Sequence, residues 1–298
     1  MIDAPATPIQ RVGVVGAGQM GSGIAQVLTL AGFDVVLNDI AAERLQRARA
    51  DVSAGLDRQL RKGSITMTQG EQALARLATG GSLADLSGCD LVIEAATENE
   101  ATKAEIFRSL APHLGELSIV ASNTSSISIT RLAASSGRPG RFIGLHFMNP
   151  VPVMPLVEVI RGAATSTETF EAVRAVVARL GKVTALASDS PGFIVNRILI
   201  PMLNEAAFAL YEGVGTVESI DAAMRLGTNQ PMGPLLLADH IGLDTCLAVM
   251  RVLNSGFADP KYRPCPLLVR YVEAGWLGRK SGRGFYSHTG AAPIPAGP

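Results

Sequence analysis

The sequence predicts an α/β protein in which a doubly wound, mostly parallel sheet is followed by an all-helical C-terminal domain. Three observations support this fold class: apolar runs alternate with amphipathic helix-length segments, a glycine-rich turn follows the first run, and strand-like runs disappear in the last third. Alternating strands and helices form parallel sheets that are covered by helices on both faces. We therefore expect one domain at 1–188 and a second, helical domain at 189–298.

The first apolar run ends in glycines with the spacing G-x-G-x-x-G. Gly16 suits a tight turn from strand to helix, Gly18 lets the backbone approach a pyrophosphate, and Gly21 lets the helix pack closely on the strand. The start of the helix offers unpaired N–H groups to phosphates. These features predict a Rossmann-like dinucleotide site, whereas an ordinary glycine turn is the plainer alternative. The expected cofactor loop is Gly16, Ala17, Gly18, Gln19, Met20 and Gly21.

A second apolar run, 34–39, ends in a carboxylate that bears on the choice of cofactor. Asp39 lies about twenty residues after the glycines, where an adenosine ribose needs an acceptor for its hydroxyls. Its charge would repel a 2′-phosphate, and no arginine follows among Ile40, Ala41 and Ala42. The sequence therefore favours NAD over NADP.

Hydrophobic periodicity predicts the remaining elements. Thr68 with Glu71 resembles a capping box for a helix over 66–77. The other expected strands are 90–96, 118–121, 141–146, 156–160 and 182–187. The other expected helices are 41–62, 101–114, one from about 126, one around 170–180, then 193–211, 217–226, 234–253 and 266–274. We expect residues 290–298 to form a frayed tail.

The composition is that of a globular protein without a charge bias. Of 298 residues, 47% are hydrophobic, and 26 basic residues balance 26 acidic ones. This balance argues against disorder and against binding of nucleic acid, and no apolar run reaches the ~18 residues of a membrane span. Cys89, Cys246 and Cys265 form no metal or redox motif, so we expect buried thiols, no metal and a cytoplasmic location.

Two polar residues interrupt the apolar strands at 141–146 and 156–160. His146 has a side chain that is suited to proton transfer near neutral pH. Glu158 needs a partner, because a carboxylate buried alone is strongly destabilising. A nearby imidazole would serve, and the ionised carboxylate would raise its basicity and fix its tautomer. A satisfied core histidine and an edge-strand glutamate are an equally open alternative.

Three long motifs place polar groups near predicted strand ends and helix starts, namely Ser122–Ser126, Gly144–Met154 and Pro191–Arg197. Together they resemble the 3-hydroxyacyl-CoA dehydrogenase family, and within it the short-chain bacterial 3-hydroxybutyryl-CoA dehydrogenases. Further matching segments are 227–234, 241–245 and 278–286. The resemblance covers almost the whole chain and implies a helical domain that binds substrate and forms a homodimer.

The resemblance also implies roles for single residues. His146 matches the catalytic base that takes the proton of the 3-hydroxyl, and Glu158 matches the carboxylate that orients it. Ser125 and Asn196 match groups that hydrogen-bond the reacting oxygen and the acyl end of the substrate, where donors suit developing negative charge. Lys103 matches a position close to coenzyme A. Residues that match cofactor contacts are Asp39, Glu98, Lys103, Ser125, Asn149 and Lys280.

Several of these positions have a plainer interpretation. Glu98 and Lys103 could be solvated charges at a helix start. Asn196 lies in the first turns of an apolar helix and could bond nearby backbone. Arg58, Arg61 and Lys62 end a long helix and could bind the phosphates of coenzyme A, but a solvated helix face is at least as good an explanation.

One position departs from the family pattern. Pro155 stands where many relatives have a lysine, just before the strand that carries Glu158. Proline is tolerated at the start of a strand. The departure therefore puts a local charge contact in doubt but leaves the pair of His146 and Glu158 intact.

The expected activity is the NAD-dependent interconversion of L-3-hydroxyacyl-CoA and 3-oxoacyl-CoA, with a four-carbon acyl group. Its partner would be an acyl-CoA thioester, with neither nucleic acid nor membrane involved. A dehydrogenase of a free hydroxy acid or sugar acid on the same fold is the first alternative, and it would not need coenzyme A. A non-enzymatic NAD-binding protein is the second, against which the four residues of the reacting site argue.

Overall fold

The chain divides into two structural units between Ser190 and Pro191. The computed structural model describes residues 9–290 and 292–296. Each unit has a hydrophobic core of its own. Within the described residues, the first unit holds an eight-stranded sheet and the second is built mainly from helices.

The first unit alternates strands and helices, as the apolar runs predict. Its strands are β1 Arg11–Val15, β2 Asp34–Asn38, β3 Leu77–Gly80, β4 Leu91–Glu94, β5 Ile119–Ser122, β6 Phe142–Phe147, β7 Leu156–Arg161 and β8 Val183–Ser188. Its helices are α1 Gln19–Leu30, α2 Ala42–Arg61, α3 Met67–Ala75, α4 Glu100–Leu110, α5 Ile129–Ser135 and α6 Thr167–Arg179.

The sheet has the strand order β3-β2-β1-β4-β5-β6-β7-β8. Strands β1 to β6 are parallel, β7 runs antiparallel to β6, and β8 runs parallel to β7. The reversal at β7 follows from its connection, because residues 148–155 are fewer than the dozen or so that a parallel crossover needs. The predicted doubly wound, mostly parallel sheet is confirmed. Its order reverses at β1, where such sheets form a crevice beyond the carboxyl ends of their strands.

Neighbouring residues of the central strands pack on opposite faces of the sheet, because successive strand side chains alternate in direction. Val14 belongs to the large core cluster that includes Ile24 and Leu28 of α1. Val15 belongs to a separate cluster with Leu110 of α4. Helices thus cover both faces, which explains why these strands read as continuous apolar runs.

The second unit packs its helices around one core that includes Leu203, Leu247 and Phe285. Its helices are α7 Val195–Tyr211, α8 Val217–Gly227, α9 Pro234–Ile241, α10 Leu243–Phe257 and α11 Pro266–Glu273. A short antiparallel pair joins β9 Tyr286–Ser287 to β10 Ile294–Pro295. The frayed tail predicted for 290–298 is therefore wrong at β10, whereas residues 291, 297 and 298 lie outside the described residues.

The predicted bounds of two helices are wrong. The helix expected over 66–77 ends at Ala75, and its capping box joins Thr66 to Gln69, two residues earlier than predicted. The residues after it form the edge strand β3. The helix expected over 234–253 is broken at Gly242, whose φ of 104° is a conformation that glycine adopts without strain.

The three cysteines are buried free thiols, as the sequence predicts. Burial, together with the nearby Asp244 and Asp239 carboxylates, raises the pKa of Cys246 to about 12. Such a thiol stays protonated and unreactive at neutral pH.

Among the described helices, none combines the length and apolar character that crossing a bilayer requires.

Candidate functional site

The glycine loop between β1 and α1 leaves open space at one of its three glycines only. A Cβ on Gly16, whose φ is 101°, would lie 2.5 Å from the Cα of Ala96, and a Cβ on Gly21 would lie 1.7 Å from the carbonyl oxygen of Gly16. A Cβ on Gly18 would meet nothing within 4 Å. Gly16 and Gly21 are therefore required by packing, whereas the open space at Gly18 favours the prediction that a dinucleotide phosphate approaches the N-terminus of α1 there.

The carboxylate of Asp39 ties the end of β2 to this loop. One oxygen accepts the backbone N–H of Ala17 at 2.9 Å and the other accepts that of Ala41 at 3.0 Å. The side chain is 7% exposed and lines a cleft of about 570 Å³ together with Ala17 and Gly18. A carboxylate oxygen has a further lone pair for a ribose hydroxyl. Its role as a ribose acceptor remains a prediction that this placement favours.

Basic residues of α2 line the same cleft. Arg44 and Arg58 both contribute to its wall, and Arg44 shares the cleft with Asp39. The sequence argument considered only residues 40–42 and so overlooked Arg44, which is the third residue of α2. Lys62 is the exposed C-cap residue of α2. Binding of coenzyme A phosphates by Arg58 and Lys62 remains a prediction.

A buried ion pair of Glu94 and Lys103 lies beside the glycine loop. The two side chains are 0% and 1% exposed, and Lys103 Nζ lies 2.5 Å from Glu94 Oε2. Glu94 also accepts hydrogen bonds from Ser122 Oγ at 2.9 Å and from the backbone N–H of Ala96 at 2.8 Å. The interpretation of Lys103 as a solvated charge is therefore wrong. The contacts of Lys103 with cofactor and coenzyme A remain predictions. Because its ammonium is buried, its effect on these ligands would be indirect.

Glu98 orders the turn that follows β5. Its Oε1 accepts hydrogen bonds from Thr124 Oγ1, from both N and Oγ of Ser125, and from Ser126 Oγ, at 2.8 to 3.0 Å. Its Oε2 lies 3.8 Å from Lys103 Nζ. Glu98 thus connects the buried pair to the serine that was singled out for substrate contact, and it is not a merely solvated helix-start charge.

His146 and Glu158 form the pair that their positions predict. They lie opposite each other in the antiparallel ladder of β6 and β7, and His146 Nδ1 lies 2.7 Å from Glu158 Oε2. The side chains are 9% and 0% exposed. Because a carboxylate only accepts, Nδ1 carries the proton, and Nε2 is the basic nitrogen of the neutral ring. The pair can therefore take up a proton at Nε2 and stabilise the imidazolium that results.

The pair stands at the edge of the sheet to which the glycine loop belongs, since parallel strands end together. Three residues after His146, Asn149 Oδ1 accepts a hydrogen bond from Gln19 Nε2 at 3.2 Å, and Gln19 is the first residue of α1. A cis peptide joins Asn149 to Pro150. The loop after the catalytic histidine candidate thus reaches the predicted cofactor loop.

Comparison with known proteins decides the family. Residues 11–190 match the profile "3-hydroxyacyl-CoA dehydrogenase, NAD binding domain" and residues 192–288 match "3-hydroxyacyl-CoA dehydrogenase, C-terminal domain". The chain belongs to the 3-hydroxyacyl-CoA dehydrogenase family. The resemblance seen in its motifs is thereby confirmed, and NAD is its cofactor.

Individual relatives of this dehydrogenase are similar along nearly their whole length. It is 61% identical to a 3-hydroxybutyryl-CoA dehydrogenase of Bradyrhizobium diazoefficiens, over 97% of this chain and 99% of that one. It is 52% identical to a probable 3-hydroxybutyryl-CoA dehydrogenase of Bacillus subtilis, over 94% and 98%. The crystal structure of (S)-3-hydroxybutyryl-CoA dehydrogenase from Ralstonia eutropha matches with a TM-score of 0.92 and 53% identity, over 95% of this chain and 100% of that one.

Two predicted site residues of the dehydrogenase belong to the second unit. Asn196 is the second residue of α7 and is partly buried. Lys280 is half exposed, and its Nζ lies 2.6 Å from the carboxylate of Asp244. Their roles toward substrate and cofactor remain predictions from the family resemblance.

Sequence reasoning missed Glu94, which holds Lys103 in place. The signal was present, because Glu94 interrupts the apolar run of β4 in the same way that Glu158 interrupts β7. A carboxylate in a fully buried strand requires a partner. This requirement, which predicts His146 as the partner of Glu158, also predicts a cationic partner for Glu94.

Proposed function

We propose that this dehydrogenase catalyses the NAD-dependent oxidation of (S)-3-hydroxybutyryl-CoA to acetoacetyl-CoA and the reverse reduction. The observation that carries the proposal is the buried contact of 2.7 Å between His146 Nδ1 and Glu158 Oε2 at the cofactor edge of the sheet. A proton acceptor with a fixed tautomer is what removal of a hydroxyl proton needs. The four-carbon acyl group is favoured by the names of the similar proteins.

The proposed reaction assigns proton chemistry to the protein. When bound, NAD supplies the acceptor for the hydride that leaves the carbinol carbon. His146 Nε2 takes the proton of the 3-hydroxyl, and Glu158 stabilises the imidazolium at the opposite ring nitrogen. In the reverse direction the imidazolium returns this proton to the oxygen of the 3-oxo group.

We propose that the hydroxyl of Ser125 hydrogen-bonds the reacting oxygen of the substrate. This hydroxyl donates to Glu98 Oε1 at 2.8 Å. The single proton of the 3-hydroxyl goes to His146, so Ser125 would hydrogen-bond the reacting oxygen as a donor by turning its O–H from Glu98 toward the substrate. This is the donor role expected from the sequence, and the backbone N–H of Ser125 would keep its hydrogen bond to Glu98.

The finer features of the assembly are also proposals. Most apolar side chains of 193–211 and 234–253 are core, but Ile198 and Tyr211 are exposed, as are Val214 and Leu226 between these helices. They support a homodimer, which sedimentation would detect as about twice 31.1 kDa. The free buried cysteines support a cytoplasmic location.

The proposal is tested by following the formation of NADH from NAD and (S)-3-hydroxybutyryl-CoA, with the (R) enantiomer as the control. We expect the (S) thioester to react on the order of 100-fold faster, because a positioned base discriminates between the two hydroxyl orientations. Oxidation of free 3-hydroxybutyrate alone would instead indicate a hydroxy-acid dehydrogenase. NAD binding without turnover of any of these substrates would indicate a binding protein.

A further inference from the structure

The loop that joins the strands of His146 and Glu158 is held by a lysine that lies outside it. Residues 148–155 form this loop, which we name the β6–β7 loop. Lys182 Nζ donates to the carbonyl oxygens of Val151 and Met154, at 2.7 Å each. Lys182 directly precedes β8, and the next residue bonds through its backbone N–H to the carbonyl of Pro155 at 2.7 Å. The ammonium therefore reaches the loop from the adjacent strand.

The β6–β7 loop also packs on the cofactor helix α1. Val151 is 2% exposed, and a Cβ added at Gly23 would lie 3.0 Å from the Cβ of Val151. The backbone N–H groups of Val153 and Met154 both donate to the carbonyl of Pro150 at 3.0 Å. The loop is thus held both by packing on α1 and by the ammonium of Lys182.

Prolines limit the backbone hydrogen bonds that the β6–β7 loop can make within itself. Three of its residues are prolines, which have no backbone N–H to donate. Val153 is 73% exposed, so the tip of the loop is not covered by other elements. Lys182 is partly buried, and this burial lowers the pKa of its ammonium group. Charge-assisted hydrogen bonds of this kind are the strong ones.

This loop forms part of the cofactor site. Pro150, Val151 and Pro152 line the same cleft as Gly18 and Asp39. Asn149 accepts the hydrogen bond from Gln19 at the start of α1. We propose that Lys182 is a positioning residue for the cofactor: it fixes the β6–β7 loop so that Asn149 and the wall of the cleft are preorganised before the dinucleotide binds.

The test is a fluorescence titration of NADH with the full chain and its Lys182→Met variant, which keeps most of the side chain's length. If the binding-ready loop becomes about 10% populated, the Kd for NADH rises about tenfold. At saturating NADH the loop is restored, so kcat stays within about twofold. Lys182→Arg retains donors for both carbonyls and should restore most of the affinity. A merely structural lysine would not produce this division between Kd and kcat.

Arg179→Met is the matched control. Arg179 also donates to two backbone carbonyls, those of Ala31 and Gly32, at 2.9 Å each, but it lies away from the cleft. We expect this variant to lower Tm without changing the Kd for NADH. Unchanged affinity in Lys182→Met, or equal weakening in both variants, overturns the inference. If Lys182→Met does not fold, Lys182→Gln, which keeps one donor group, must show an intermediate Kd or the inference fails.

The inference concerns NADH binding within the proposed function, and the titration separates the two. Binding of NADH is measured without an acyl substrate. A lack of turnover on thioesters would therefore contradict the proposed function, but the Kd of the Lys182 variant could still be interpreted. Conversely, an unchanged Kd in Lys182→Met would overturn the positioning role even if the thioester is oxidised rapidly.

Discussion

Replacement of His146 by alanine is expected to lower kcat by roughly 10²–10⁴-fold, the range for loss of a general base. The physical reason is that Nε2 is the proposed proton acceptor and that Glu158 holds the opposite ring nitrogen at 2.7 Å. NADH should still bind, since the glycine loop and Asp39 are untouched. Steady-state turnover and an NADH titration together measure both effects.

The substitution also leaves Glu158, which is fully buried, without its imidazole. Breaking a buried pair from one side is destabilising by about 3–5 kcal/mol, so a folding defect must be separated from a catalytic one. The double variant His146→Ala with Glu158→Gln removes the buried negative charge and should recover part of the lost stability without recovering turnover. A single variant that keeps more than a tenth of the wild-type kcat would contradict the assigned role of His146.

Replacement of Gly21 by alanine is expected to destabilise the first unit by about 3 kcal/mol or more, because overpacking against backbone cannot be relieved by a rotamer change. Its Cβ would lie 1.7 Å from the carbonyl oxygen of Gly16. For a unit of this size the loss corresponds to a fall in Tm on the order of 10 °C. Thermal unfolding measures it directly.

Gly18→Ala in the same loop is the matched control. Its Cβ would meet no protein atom within 4 Å, and Gly18 has an ordinary extended conformation with φ of −79°. We expect its Tm to stay within about 2 °C of wild type, whereas the Kd for NADH rises at least tenfold because the methyl group occupies the approach of the pyrophosphate. Equal losses of Tm in both variants would contradict this division between packing and cofactor approach.

The parts of the fold and site that depend on local pattern were predictable from the sequence. The turn from β1 to α1 needs glycine for geometric reasons, and Asp39 directly follows β2, where its carboxylate reaches that turn. The partnership of His146 and Glu158 was predictable from the requirement that a buried carboxylate be paired. The short connection at 148–155 also contained the signal for an antiparallel pair, which places these two residues opposite each other.

Other features depend on contacts between distant segments and have no local signature. Lys103 lies on a polar-looking helix, and only the packing of α4 against β4 buries it beside Glu94. Lys182 contacts the β6–β7 loop because β7 and β8 are neighbours in the sheet. Gly242 divides one predicted helix into two, because its backbone leaves the helical region. The apolar periodicity continues through this residue, so the pattern alone gives no sign of the break.

Oxidation of NADH by acetoacetyl-CoA, with free acetoacetate and NADPH as the controls, tests both the acyl-CoA substrate and the cofactor. We predict rapid turnover with the thioester, little with the free acid, and a preference for NADH, because the carboxylate of Asp39 repels a 2′-phosphate. Turnover of free acetoacetate at the same rate as the thioester would contradict the assignment of an acyl-CoA substrate. A preference for NADPH would contradict the role of Asp39 and point instead to Arg44, which lines the same cleft.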